Sequence, residues 1–190
     1  MEAEKRKRIL IDADGVMLDF VGATSELGVL AGFAPWDGRE SLDKFYAKEL
    51  KRIKARIDSL EFHERAKPYP GAMEWLEARR REGHKLVAVT APWQNSSCWH
   101  RCRVEALRKL GFHENEMIFA CGGQKQYVDG DLLIEDRVDT LLQWGTARKF
   151  KRSVLVAHPH NEADRPQLEA RAKDGWFEVV DRLAALEVTP

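Results

Sequence analysis

The feature that most constrains this chain is a rhythm of short apolar runs, several of which end abruptly in polar or acidic residues, alternating with longer amphipathic stretches. Ile9–Ile11, Leu86–Val89, Met117–Ala120, Leu132–Ile134 and Val154–Ala157 have the length and side chains of buried strands, and segments near 71–82, 97–110, 137–149 and 162–173 carry helical spacing. Runs that are apolar at every position cannot leave one face to water. The alternation therefore predicts an α/β fold, a parallel sheet covered by helices on both faces. In such sheets ligands bind beyond the carboxyl ends of the strands. Asp12 with Asp14, Thr90, and Glu135 with Asp136 each follow an apolar run immediately, so three strands would deliver polar groups to one edge.

The rhythm breaks between residues 21 and 66. Strand signals vanish there, and 39–60 reads as one or two charged amphipathic helices. This predicts a helical cap at 21–66, inserted after the first strand of a core formed by 1–20 and 67–190. The turn Pro68-Tyr69-Pro70-Gly71 restarts the core, with Pro70 just ahead of a helix over Ala72–Arg81. A chain of 190 residues, 44% hydrophobic, can bury one proper core and a small appended unit. Basic and acidic side chains balance at 31 each, so no global field draws the protein to nucleic acid. Three cysteines and no apolar leader predict reduced thiols and a cytoplasmic setting. No run approaches the roughly 20 apolar residues of a membrane span, so a soluble protein without a membrane partner is expected.

Two carboxylates behind an apolar run are costly without a cation nearby. The segment Ile11-Asp12-Ala13-Asp14-Gly15-Val16, extended by Asp19-Phe20, resembles the first motif of the haloacid dehalogenase-like phosphatases, and within them the 5'(3')-deoxyribonucleotidases. The similarity continues through Pro68-Tyr69-Pro70-Gly71-Ala72, Val89-Thr90-Ala91-Pro92 and Val128-Asp129-Gly130-Asp131-Leu132-Leu133-Ile134-Glu135-Asp136-Arg137. It implies a Rossmannoid three-layer core with a central parallel sheet, and a phosphoric monoester hydrolase acting through an aspartyl-phosphate. Asp12 would be the nucleophile, and Asp14 the acid that protonates the leaving oxygen and then activates water. Thr90 and Lys125 would hold the phosphoryl group. Mg2+ would be bound by Asp12, Asp136 and the Asp14 backbone carbonyl, with Glu135 in support. Gly15 supplies the freedom for the turn, and Asp131 fits a wider spacing of the last motif as an additional ligand.

Other patterns have plainer readings. Glu135 and Asp136 can also cap the helix beginning near Val138. Cys98 and Cys102 stand one helical turn apart without further ligands nearby in the sequence, which suggests semi-buried thiols rather than zinc. His158 and His160 flank Pro159 in what reads as a loop after a strand, and Lys5-Arg6-Lys7-Arg8 as a solvated strand entrance.

Substrate choice belongs to the lid and the residues beside the motifs. A nucleobase wants a flat apolar surface. Phe20, Phe45, Tyr46 and Trp93 could supply it, with Phe62 a further candidate and Ala91 beside the phosphate; the same aromatics could equally bury the lid helices against each other. Two departures stand out. Ala91 occupies the place where the resembled enzymes carry serine, and Gln124 precedes Lys125 where they carry arginine, a lost cation that implies altered ligand preference or a neighbouring basic residue such as Arg101 or Arg103 in its place. The expectation is a small-molecule partner, a nucleoside 5'-monophosphate and preferably a deoxyribonucleotide, with homodimerisation open. A nucleic-acid end phosphatase and a non-catalytic binding protein on the same fold are the alternatives. If Phe20 stacks on a base, Phe20→Ala will damage nucleotide turnover far more than turnover of a generic aryl phosphate; equal losses of kcat/KM on both would remove base stacking.

Overall fold

The computed structural model describes residues 6–93, 96, 98–121, 123–148, 151–171 and 176–187. Residues 97, 149, 172 and 173 of the expected helices, Gly122 and Lys5 lie outside them. Six parallel strands, β1 (Arg8–Ile11), β2 (Lys85–Thr90), β3 (Met117–Phe119), β4 (Leu132–Glu135), β5 (Arg152–Val156) and β6 (Phe177–Val180), form one sheet in the order β3-β2-β1-β4-β5-β6. β6 has no counterpart in the sequence reading. It is an edge strand whose Phe177, Glu178 and Val179 are incompletely buried, so it lacks the continuous apolar run that marks the inner strands.

The inner strands are buried on both sides, and alternate residues divide cleanly between them. Ile9, Ile11, Leu86, Ala88, Leu132, Ile134, Val154 and Val156 face one apolar cluster, which α5 (Ala72–Arg81) and α6 (Trp99–Lys109) close with Trp75, Leu76 and Leu107. Leu10, Val87, Val89, Leu133 and Leu155 face the other, closed by Leu141 and Trp144 of α7 (Val138–Ala147) and Leu168 of α8 (Arg165–Arg171). The result is three layers, as the alternation predicts. Each fully buried Leu or Ile contributes roughly 1.5–3 kcal/mol relative to exposure.

Between β1 and α5 lie α1 (Phe20–Leu30), α2 (Leu42–Phe45), α3 (Leu50–Ile57) and α4 (Leu60–Arg65). They share a separate cluster of Ala23, Leu27, Trp36, Tyr46, Ile53, Ile57, Phe62 and Ala66. Asp19 starts α1 as its N-cap, its Oδ1 accepting from the Gly22 amide at 2.8 Å. The chain leaves and re-enters the core through a narrow neck: Leu18 bridges Pro68, the Asp19 amide donates to the Lys67 carbonyl at 2.9 Å, and the Tyr69 amide to that of Met17 at 2.9 Å. No described helix is long and apolar enough to cross a membrane.

Candidate active site

β1 lies at the middle of the sheet, between β2 and β4, so its C-terminal end meets theirs. Asp12 continues the ladder by donating its amide to the Ile134 carbonyl at 2.9 Å, and the chain then turns sharply, with the Leu18 and Met17 amides both bonded back to the Ala13 carbonyl at 2.8 and 3.0 Å. Gly15 is required there twice over. Its φ of +74° lies in the left-handed region, and a Cβ would come 2.1 Å from Asp136 Oδ2. The turn thus presses the first motif directly against the last.

Lys125, from a short 3-10 turn at Lys125–Tyr127, joins these pieces. Its Nζ lies 2.8 Å from Asp12 Oδ1 and 2.7 Å from Glu135 Oε2, all three residues being buried. Burial alone would discharge the lysine, but the Asp12 and Glu135 carboxylates raise its pKa above the ordinary value. Asp12 is pushed up to about 7, chiefly by burial and then by Glu135, with Lys125 opposing. Glu135, fully buried, is raised by the same desolvation against the pull of Lys125. Neither carboxylate caps α7, whose N-cap is Arg137 without a side-chain bond.

Asp14 faces a different cation. Nη2 of Arg103, a fully buried residue of α6, donates to both Asp14 carboxylate oxygens at 2.7 Å, and its guanidinium lies 5.0 Å from the Trp99 ring centroid. Burial raises Asp14 and Arg103 lowers it, with a net upward shift. Arg103 is one of the two arginines expected as a replacement for the missing cation, and the structure sets it against Asp14 from a helix outside the motif segments. The loop after β5 also reaches the site. His160 Nε2 lies 3.2 Å from Asp136 Oδ2, Asn161 Nδ2 donates to the Asp136 carbonyl at 2.8 Å, and His158 bonds the Gly15 carbonyl. The loop reading of these histidines needs correcting: His158 is the N-cap of a 3-10 helix, Pro159–Asp164, and His160 lies within it, and spacing alone gave no sign that this segment folds against the acidic cluster.

The remaining candidates divide. Thr90 and Ala91 at the end of β2, together with Phe20, line a cleft of about 240 Å3 that also contains Asp12, Asp14, Lys125 and Asp136. Phe20 packs edge-on against Phe62 and Trp36 at 5.3 and 6.3 Å, so it serves the helical cluster and the cleft at once. Phe45, Tyr46 and Trp93 are not among the cleft's lining residues. Tyr46 is buried in the helical cluster with its hydroxyl bonded to the Ala34 carbonyl at 3.0 Å, Phe45 stacks edge-on against it, and Trp93 packs onto the same cluster. Asp131 is a correction. It precedes β4 at the far end of the sheet, accepting from the Arg8 amide at 2.8 Å, about 16 Å from Asp136 at ~3.3 Å per residue, and cannot share an ion with it.

Asp12, Glu135 and Asp136 place one carboxylate oxygen each within 4.8 Å of one another. With Asp14 the site holds four carboxylates, and even with His160 protonated the cations Lys125 and Arg103 leave negative charge in excess. An all-oxygen donor set with a charge deficit fits a hard divalent cation such as Mg2+.

No family model and no curated protein sequence matches the chain. Solved structures do. A haloacid dehalogenase-like hydrolase of Burkholderia xenovorans superposes with a TM-score of 0.56 at 13% identity, over 95% of this chain and 98% of its own. A HAD hydrolase, family IA, variant 3, of Entamoeba histolytica gives 0.57 at 10% identity over 96% of both chains. A phosphonoacetaldehyde hydrolase-like protein of Oleispira antarctica gives 0.52 at 12%, over 97% and 91%. The chain therefore has the Rossmannoid α/β fold of the haloacid dehalogenase-like hydrolases. The narrower resemblance to deoxyribonucleotidases is carried by its sequence motifs alone.

Two outcomes follow from the electrostatics. A native carboxyl raised from 3.8 to about 7 holds a proton the unfolded chain has lost, so Asp12 makes the metal-free protein lose stability as pH rises through that window. Mg2+ favours the ionised carboxylate and will raise the melting temperature more above about pH 7 than near pH 5; an equal rise at both would disconnect the ion from Asp12. Arg103→Met will leave Asp14 without its cation, costing about 3–5 kcal/mol in denaturant melts. It will also raise the Asp14 pKa followed by NMR titration, while Arg103→Lys largely restores both. An unshifted titration would disconnect Arg103 from Asp14.

Proposed function

We propose that this protein is a Mg2+-dependent phosphatase of small phosphomonoesters, with nucleoside 5'-monophosphates, preferably deoxyribonucleotides, as substrate class. The observation that carries the reading is the meeting of Asp12, Asp14, Thr90, Lys125 and Asp136 in one cleft at the carboxyl ends of β1, β2 and β4. Asp12 attacks the phosphorus, the bond to the leaving oxygen breaks, and Asp14 protonates that oxygen. Asp14, then a base, takes a proton from a water that attacks the phosphorus of the aspartyl-phosphate, releasing Asp12 and inorganic phosphate. Lys125 sets positive charge against Asp12 and the transferring group, Glu135 holds Lys125 in place, and the Thr90 hydroxyl donates to a phosphoryl oxygen. The side chains of Asp12 and Asp136 and the Asp14 carbonyl, with Glu135 in support, would hold Mg2+, which would supply the charge neutralisation that two anions need in order to meet.

Helices α1–α4 act as the cap, joined to the core through the two-stranded neck at Leu18 and Pro68. Phe20, at the cap's first turn, is the aromatic surface that reaches the cleft. A cleft this small, below the ~300–1,000 Å3 of drug-sized pockets, suits a phosphoryl group with its adjoining sugar better than a polymer. The three free cysteines suit a reducing, cytoplasmic setting.

Phosphate release across ribo- and deoxyribonucleoside 5'- and 3'-monophosphates, oligonucleotide ends and an aryl phosphate, with and without Mg2+, tests the proposal. Mg2+-dependent release from 5'-deoxyribonucleotides is expected, and Asp12→Asn will lower it on the order of 10⁴-fold or more while the folded state persists. Release confined to oligonucleotide ends would replace the substrate class. Release from no monoester would replace catalysis with binding.

A further inference from the structure

Away from that cleft the fold assembles a second group of metal-ligating side chains, of a different chemical kind. We propose that His63, Cys98 and Cys102 form a zinc site that clasps the helical insertion onto the core. His63 belongs to α4, while Cys98 and Cys102 stand at the start of α6, one turn apart. One ligand atom from each lies within 4.8 Å of the others. Zn–S bonds of ~2.3 Å and Zn–N bonds of ~2.0–2.1 Å set tetrahedral ligand atoms roughly 3.5–3.8 Å apart, so closure on an ion needs side-chain shifts on the order of 1 Å.

The independent mark of a missing ligand is His63 itself. Both of its ring nitrogens are buried without a hydrogen-bond partner. A buried imidazole with neither nitrogen satisfied is costly, and a metal bond removes half of that deficit. Burial, with the nearby Arg103 charge, holds its pKa down to about 4, so the imidazole is neutral and able to ligate. Cys98 Sγ lies 3.3 Å from Asp58 Oδ1, which places an oxygen donor beside the three ligands, at the C-cap of α3. His63 and Cys102 line a surface cleft with Leu60, Glu64 and Arg101, which gives an ion an entry path.

Binding one Zn2+ expels two thiol protons to solvent, and two thiolates with a neutral imidazole make an uncharged centre. Softness separates the two sites. Sulfur and imidazole select zinc, whereas the carboxylates of Asp12, Glu135 and Asp136 select magnesium. The sequence alone does not show this site, because two thiols one turn apart become a metal set only when the insertion brings His63 from 35 residues upstream of Cys98. The proposal does not depend on the phosphatase reading.

The test uses the whole protein, stripped with a chelator and reloaded with Zn2+ or Co2+ in excess Mg2+, which saturates the carboxylate site. About one equivalent of zinc will survive gel filtration, the melting temperature will rise by several degrees, and Co2+ will show thiolate-to-metal charge-transfer absorption in the near ultraviolet. His63→Gln and Cys98→Ser will abolish the absorption and the zinc retention, while a variant carrying both Asp12→Asn and Asp136→Asn will keep them. Cys98 is the N-cap of α6, where serine is favoured, so this substitution removes a ligand without threatening the helix. Zinc lost on gel filtration, cobalt bound without the thiolate band, or binding that vanishes only in the aspartate variant would overturn the site.

Discussion

Everything functional in this molecule depends on β1 being paired in parallel on both sides, with β2 and with β4. Parallel pairing brings the carboxyl ends of the three strands to one edge, and it requires long crossovers that bury both faces of the sheet. Acidic groups held at that edge cannot escape to solvent, because the apolar clusters on either side leave the strands no freedom to slip. A one-residue slip of β1 would exchange Ile9 and Ile11 with Leu10 across the sheet, and would misplace Asp12 at the same time.

Crowding of carboxylates is then unavoidable, and the structure answers it with paired cations of separate origin. Lys125 reaches Asp12 and Glu135 from the turn before β4, while Arg103 reaches Asp14 from α6. Each cation takes charge of one member of the Asp12 and Asp14 pair, so two carboxylates two residues apart acquire different surroundings. Such a division suits one of them to attack and the other to exchange protons. Gly15 makes the arrangement compact enough for Asp136 to join it, since any side chain at that position would occupy the Asp136 carboxylate.

The insertion adds a second level of organisation. Its helices bury their own cluster, and besides the neck they meet the core at Phe20 above the cleft, at Asp58 beside Ser96, and at the His63, Cys98 and Cys102 group where α4 contacts α6. Tyr46 and Phe45 illustrate how an aromatic pair is read two ways from sequence. Their spacing is compatible with a binding surface, but Tyr46 is spent on the cluster interior and its hydroxyl on the Ala34 carbonyl.

The inner strands and the layer structure were legible because inner parallel strands are apolar at every position, and that pattern survives without any knowledge of partners; the strand order was not, since it depends on which strands pair in space. The acidic ends of β1 and β4 were legible for a related reason: carboxylates abutting a buried run are rare enough to stand out. β6 was not, since an edge strand has no continuous apolar run. Asp131 fitted a wider motif spacing as a candidate ligand, but it precedes the β4 run whereas Asp136 follows it, so the two stand at opposite ends of the strand. Arg103 was only one of two arginines that could replace a missing cation, and its pairing with Asp14 was not legible; His160 and Asn161 were beyond the reach of local pattern, being distant from the motifs they touch. The sequence by itself determined a parallel α/β sheet with an acidic edge, through side-chain polarity and period. Only the tertiary structure decided which cation faces which carboxylate, which aromatic reaches the cleft, and that His63 meets two cysteines, because those pairings depend on how the crossovers and the insertion close in space.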